Sequence, residues 1–78
     1  MRILITGAAG SIGSELTKQL KDNCLYLFDN NETDLFGLLE EQKLKRCNVI
    51  GRIGDVRDKD TLMSVFLEFQ PEVVYHAA

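Results

Sequence analysis

The stretch Thr6-Gly7-Ala8-Ala9-Gly10-Ser11-Ile12-Gly13 decides how this chain reads. Before it lies a short apolar run, Arg2-Ile3-Leu4-Ile5-Thr6; after it Ile12, Leu16 and Leu20 recur four apart. The run suits a parallel strand covered on both faces, and the recurrence suits a helix with an apolar stripe over residues 11–22. Each glycine has a separate mechanical task. Gly7 permits the sharp turn off the strand. Gly10 lets backbone approach a phosphate with no Cβ in the way, and Gly13 lets the helix pack closely on the sheet. The start of that helix then offers free N–H groups and a partial positive charge to an anion.

Outward from this turn, strand and helix signals alternate. Cys24-Leu25-Tyr26-Leu27-Phe28 is a second apolar run, closed by Asp29-Asn30-Asn31. A helical stretch follows over residues 32–46, with Leu35, Phe36, Leu38 and Leu39 inward and Glu40, Glu41, Lys43 and Lys45 outward. Asn30 or Asn31 can cap its start. Residues 48–53 alternate as a third strand nearer a sheet edge. Gly54-Asp55-Val56-Arg57-Asp58 is a turn, and Asp58 can cap a third helix lined by Leu62, Val65, Phe66 and Phe69. Pro71 stops that helix, and Glu72-Val73-Val74-Tyr75-His76 is a fourth strand. The order β-α-β-α-β-α-β predicts an α/β fold with a parallel sheet. Right-handed crossovers give the strand order 3-2-1-4, half of a doubly wound Rossmann-like fold, as one domain over residues 1–78.

The glycine triplet has a strand before it, a helix after it and an acidic residue at the end of the next strand. That context points to dinucleotide binding. A P-loop is excluded, because no Gly-Lys-Ser/Thr follows. Asp29 stands where a carboxylate accepts hydrogen bonds from ribose hydroxyls and repels a 2′-phosphate. No Lys or Arg lies between Asp29 and Lys43 to neutralise such a phosphate, so NAD is favoured over NADP. The alternative role for Asp29 is to cap the next helix. Asp55 and Val56 stand on the same sheet edge, where a carboxylate and a backbone N–H can read the adenine amino edge. Asp55 and Asp58 can equally be turn-shaping and capping residues. His76 at the end of the fourth strand reads as structural by its spacing, and with Ala77 and Ala78 it is expected to border the crevice at the strands' carboxyl ends. Ala77 and Ala78 beside it are small enough to let a cofactor lie close.

Composition sets the outer bounds. The chain has 78 residues, a net charge of −3, 45% hydrophobic and 27% charged residues, the mix of a folded globular chain. Its size gives about 63% of the unfolded surface buried, enough for one small core of modest stability. A complete small-molecule enzyme needs more chain than this. The acidic balance argues against nucleic acid, since the basic cluster Lys43, Lys45 and Arg46 adjoins Glu40 and Glu41. No apolar run is long enough to span a bilayer or to act as a signal peptide, so the expected compartment is cytoplasm. Cys24 and Cys47 form no metal-binding pattern, and each reads as a small buried apolar residue. They fall at the same ends of neighbouring strands, but a reducing cytoplasm disfavours a disulfide between them.

Together, Thr-Gly-x-x-Gly-x-x-Gly at 6–13, Asp29, Gly-Asp-Val-Arg-Asp at 54–58 and Tyr-His-Ala-Ala at 75–78 resemble the extended short-chain dehydrogenase/reductases. Gly-Ser-Ile-Gly-Ser-Glu at 10–15, Asp-Asn-Asn-Glu at 29–32 and Pro-Glu-Val-Val-Tyr-His-Ala-Ala at 71–78 are similar to their polysaccharide-biosynthesis branch. That branch contains UDP-N-acetylglucosamine 4,6-dehydratases and nucleotide-sugar epimerases. The resemblance implies that Gly7, Gly10, Ser11, Ile12 and Gly13 hold the pyrophosphate of NAD. It implies Asp29 at the adenosine ribose, Asp55 and Val56 at the adenine, and Ala77 and Ala78 in the middle of the cleft. The implied reaction removes a hydride from C4 of a nucleotide sugar, the substrate partner.

The family's catalytic Tyr-x-x-x-Lys has no counterpart here: Tyr26 has Asn30 four residues on, and Tyr75 has no residue there. The resemblance thus implies no catalytic residue and no metal ligand within these residues, and names the activity of a longer parent. The other readings are a non-catalytic NAD-sensing or partner-binding module, and an inert truncation. Val73-Val74-Tyr75 is expected to leave an unpaired apolar strand edge, through which the chain would self-associate.

Overall fold

In the computed structural model, which describes residues 1–44 and 48–78, the elements run β1 Arg2–Thr6, α1 Ser11–Gln19, β2 Cys24–Asp29, α2 Glu32–Lys43, β3 Val49–Ile53, α3 Lys59–Phe69 and β4 Val73–His76. All pairings are parallel and the strand order is β3-β2-β1-β4, as the crossover rule predicts. The first two connections step one way across the sheet and the third steps back past β2 and β1. Right-handedness therefore puts α1 and α2 on one face and α3 on the other.

Side-chain alternation along the strands fills both sides. Ile3, Ile5, Leu25, Leu27 and Val49 pack with Leu35 and Leu38 of α2, and with the partly buried Leu16 and Leu20. Leu4, Tyr26 and Phe28 point the other way, onto Val65, Leu62 and Phe69 of α3. Tyr26 and Phe69 meet with ring centroids 5.2 Å apart and planes tilted 56°. The radius of gyration, 11.1 Å, is close to the roughly 11.5 Å expected of a folded chain this long.

Several side chains depart from the sequence reading. Ile12 is 67% exposed, and Gly13 and Thr17 are the buried residues of α1. The helix rests its backbone on the glycine turn at Gly13, which rotates the inward stripe by one residue. Thr17 Oγ1 is satisfied there by donating to the Gly13 carbonyl at 2.8 Å. In α2 the inward residues are Leu35, Leu38 and Gln42; Phe36 lies one step round the helix and is exposed. Phe66 of α3 sits at the margin of its stripe, with Val65 at the centre.

Cys24, expected to be buried, is an exposed free thiol. It opens β2 at the sheet's amino end, where no helix covers it, and its sulfur lies 3.9 Å from Asn48 Nδ2. Cys47, Lys45 and Arg46 lie outside the described residues, and with them the proposed end of the second helix and any cysteine pairing.

Candidate functional site

The carboxyl ends of the four strands form one rim, and the glycine turn crosses it. Gly7 has φ +67° and faces the end of the chain: a Cβ there would lie 2.6 Å from the Ala78 amide nitrogen and 2.7 Å from its Cα. Only glycine meets both demands. The register that brings Ala78 in is held by β1–β4 pairing and by the Ala77 N–H donating to the Thr6 carbonyl at 2.9 Å. A Cβ on Gly13 would lie 2.7 Å from the Ala8 Cα, so helix and turn touch backbone to backbone.

Gly10 is different. It is the N-cap of α1 in extended conformation, and a Cβ there would meet only the Gly7 carbonyl oxygen at 3.4 Å. The chain's own packing does not require glycine at position 10.

The three helix starts are also unlike one another. Asn31 Oδ1 accepts from the Asp34 N–H at 3.1 Å and so caps α2. Asp58 Oδ1 accepts from the Thr61 N–H at 3.2 Å and caps α3. No side chain caps α1. Its first-turn N–H groups, at Ser11, Ile12 and Gly13, have no acceptor within the helix.

Beside this helix start lies a cleft of about 240 Å³. Gly7, Gly10, Asp29, Asp55, Val56, Ala77 and Ala78 line it, which brings together the expected residues from all four strand ends. Ser11, Ile12 and Gly13 are not in its wall; Gly13 is buried behind the turn and the other two are exposed at the helix start. Phe28, Asn30 and Gly54 also line the cleft, and the sequence reading did not single them out. Gly54 had a signal, its place just before Asp55. A Cβ there would lie 2.6 Å from Phe28 Cζ, so the strand end closes only over glycine.

The two carboxylates of the cleft are fixed by short bonds. Asp29 Oδ2 accepts from the Ala9 N–H at 2.9 Å, and Oδ1 from the Asn31 N–H at 2.8 Å. Asp29 therefore ties the glycine turn to β2 and does not cap α2. Asp55 Oδ1 accepts from the Arg57 N–H at 2.9 Å, and both its oxygens take the Arg57 guanidinium. That side-chain pairing, the largest influence, and the backbone bond hold the Asp55 carboxyl down to about 2. Asp55 thus both shapes the turn and lines the cleft. Asp58 is held below its ordinary value by the Thr61 hydroxyl first, and acts only as a cap.

His76 lies outside the cleft wall, its Nδ1 paired with Thr6 Oγ1. No three potential metal-ligating side chains cluster among the described residues.

These features fit a dinucleotide. An uncapped helix start and an open space at Gly10 face one end of the cleft, and a fixed carboxylate stands at each of two neighbouring strand ends. Nothing basic lines it.

Comparison with known proteins agrees with this geometry. A family described as "Polysaccharide biosynthesis protein" matches residues 3–78. The capsular polysaccharide biosynthesis protein CapD of Staphylococcus aureus is 35% identical, over 97% of this chain and 14% of its own length. The uncharacterized membrane protein MJ1061 of Methanocaldococcus jannaschii is 43% identical, over 97% of this chain and 22% of its own. Among solved structures, the Bordetella bronchiseptica enzyme WbmG, in complex with NAD and UDP, superimposes with a TM-score of 0.83 at 31% identity. That match covers 97% of this chain and 24% of WbmG. The chain thus spans about a quarter or less of each of these relatives.

Proposed function

The chain belongs to the polysaccharide biosynthesis protein family, within the extended short-chain dehydrogenase/reductases, and from that premise we propose that residues 1–78 form the NAD-binding N-terminal portion of a nucleotide-sugar dehydratase or epimerase. The observation that carries this is the cleft at the strand ends, set beside the NAD held by WbmG.

The α1 start receives the pyrophosphate: the N–H groups of Ser11, Ile12 and Gly13 donate, and the backbone at Gly7 and Gly10 makes room. Asp29 accepts from the adenosine ribose hydroxyls. Its two intrachain bonds hold the carboxylate in position and leave lone pairs on both oxygens. The Asp55 carboxylate and the Val56 N–H receive the adenine amino edge. Ala77 and Ala78 border the middle of the cleft. A volume of about 240 Å³ is small beside the ~300–1,000 Å³ of ordinary ligand pockets, and suits the adenosine half rather than a whole dinucleotide.

When bound, NAD supplies a hydride acceptor. The whole protein removes a hydride from C4 of a nucleotide sugar of surface-polysaccharide synthesis; the UDP bound by WbmG supports that substrate class. The acid and base of that reaction lie outside these residues. The cleft's two carboxylates and its lack of basic side chains favour NAD over NADP.

A cytoplasmic setting follows from a cytoplasmic cofactor and sugar nucleotide. None of the described helices is long and apolar enough to cross a membrane. Residues 1–78 on their own would also associate through the outer edge of β4, which no described strand pairs and where Val74 and Tyr75 are exposed.

Calorimetric titration with NAD tests the cofactor reading through Gly10→Val. A Cβ at Gly10 meets only the Gly7 carbonyl oxygen, at an ordinary contact of 3.4 Å, so the variant should fold, while its branched side chain blocks the phosphate. Loss of NAD binding is expected, with only a small drop in the unfolding midpoint because valine is a poorer N-cap than glycine. Unchanged affinity would refute the reading.

A further inference from the structure

Arg57 is a long cation on the turn after β3, and its side chain is 87% exposed. It does not line the cleft. Even so, its guanidinium lies flat against one carboxylate. Nε is 3.1 Å from each Asp55 oxygen, and Nη2 is 2.7 Å from Oδ2. The Arg57 backbone N–H donates to Oδ1 as well. Asp55 is thus gripped from one side by three donors of a single residue. The preceding residue, Gly54, has no side chain with which to add a restraint.

As a stabilising ion pair this arrangement is worth little, because both partners reach water. Its geometric effect is larger. A fork-to-fork pair fixes the plane of the carboxylate, which a single bond does not. The plane matters because a base edge is read by in-plane hydrogen bonds.

We propose that Arg57 is a positioning residue for base recognition: by clamping Asp55 it aims the carboxylate's remaining lone pair at the exocyclic amino group of the adenine. This rests on the adenine placement given above. Three Arg57 donors, one of them shared between the two oxygens, stand against about four lone-pair sites, so one acceptor position remains and the clamp and a single adenine N–H are received together. The arrangement selects a 6-amino purine. A 6-oxo purine presents an acceptor to the carboxylate and an N–H to the Val56 N–H, and both pairings fail.

The test compares NAD with nicotinamide hypoxanthine dinucleotide, its 6-oxo analogue, by calorimetry on the full chain. The wild type is expected to prefer NAD by about ten- to a hundredfold, the scale of one hydrogen bond to a charged group. Arg57→Ala should reduce that preference to about threefold or less, with the unfolding midpoint nearly unchanged because the side chain is exposed. Arg57→Lys keeps the charge but not the fork, and should fall between the two. In an Asp55→Ala background, Arg57→Ala should change the preference no further.

A wild-type preference retained in Arg57→Ala overturns the positioning role and leaves the cofactor reading standing. An Arg57→Lys variant as selective as wild type shows charge alone at work and overturns it too. A wild type that binds both dinucleotides equally, or neither, overturns the adenine placement or the cofactor reading, and this proposal with it.

Discussion

At the scale of single residues, the two cleft carboxylates are held by opposite means. Asp29 is fixed by backbone N–H groups from two different segments, and Asp55 by one arginine. The difference has a pH consequence. Asp55 titrates near 2 in the folded chain against an ordinary 3.8, so folding favours its ionised form. Stability from this pair is fully present above about pH 3.8 and is lost as the pH falls through about 2. A carboxyl-carbon NMR titration of Asp55 should show a midpoint near 2, moving back toward 3.8 in Arg57→Ala. A midpoint unmoved by that substitution would show that Arg57 is not its cause. The sequence made Asp29 and Asp55 visible as candidates through their places after strands. It left open whether each bound a ligand or shaped a turn, because Asp serves both purposes. Only the donor geometry separates Asp55, which does line the cleft, from Asp58, which only caps.

At the scale of elements, the strands and the helix starts were legible and the helix faces were less so. Strand positions follow from short apolar runs, which have one buried solution in a covered parallel sheet. Helix faces depend on how each helix is rotated against the sheet. In α1 that rotation is set by Gly13 touching the turn, so a small residue, not Ile12, occupies the inward line. Apolar periodicity gives no weight to such a residue. Exposed Phe36 and Cys24 mislead for a related reason: residue type suggests burial, while position on the helix or at the sheet's amino end denies it.

The glycines in helices make this testable. Replacing either Gly13 or Gly37 by Ala gains roughly 0.5–1 kcal/mol of helix propensity. At Gly37 nothing lies within 4 Å of the new Cβ, so Gly37→Ala should raise the urea midpoint. At Gly13 the Cβ would press on Ala8 backbone at 2.7 Å. Backbone cannot yield as a flexible side chain can, so overpacking of about 1–3 kcal/mol should win and lower the midpoint. A stabilised Gly13→Ala would mean that helix and turn are not in close contact.

At the scale of the whole molecule, one face of the sheet carries two helices and the other carries one. Val74 on β4 is 43% exposed, and Met63 and Leu67 of α3 are 60% and 70% exposed. Exposed apolar groups beside an edge that no described strand pairs favour association of residues 1–78 with a second copy. Val74→Lys should therefore lower the weight-average mass in sedimentation equilibrium from dimer or larger to monomer, with little loss of stability at a half-exposed site. A wild type that sediments as a monomer at high concentration would remove the association. The sequence order alone was enough to place β4 beside β1, on the side away from β2. The asymmetry of helical cover follows from the direction of the third crossover.

The pairing of Gly7 with Ala78 also fixes an order of events during synthesis. The glycine turn leaves the ribosome early, but Ala77 and Ala78 pack against it, and β4 reaches β1 across about 70 positions of chain. Closing so long a loop is slow relative to forming the β1–β2 and β2–β3 neighbours. A nascent chain that has completed β3 therefore carries the glycine turn without its seat. The cleft at Gly7 forms only when β4 docks, so a ligand of the proposed kind would stabilise these four strands together but could not guide the earlier ones into place.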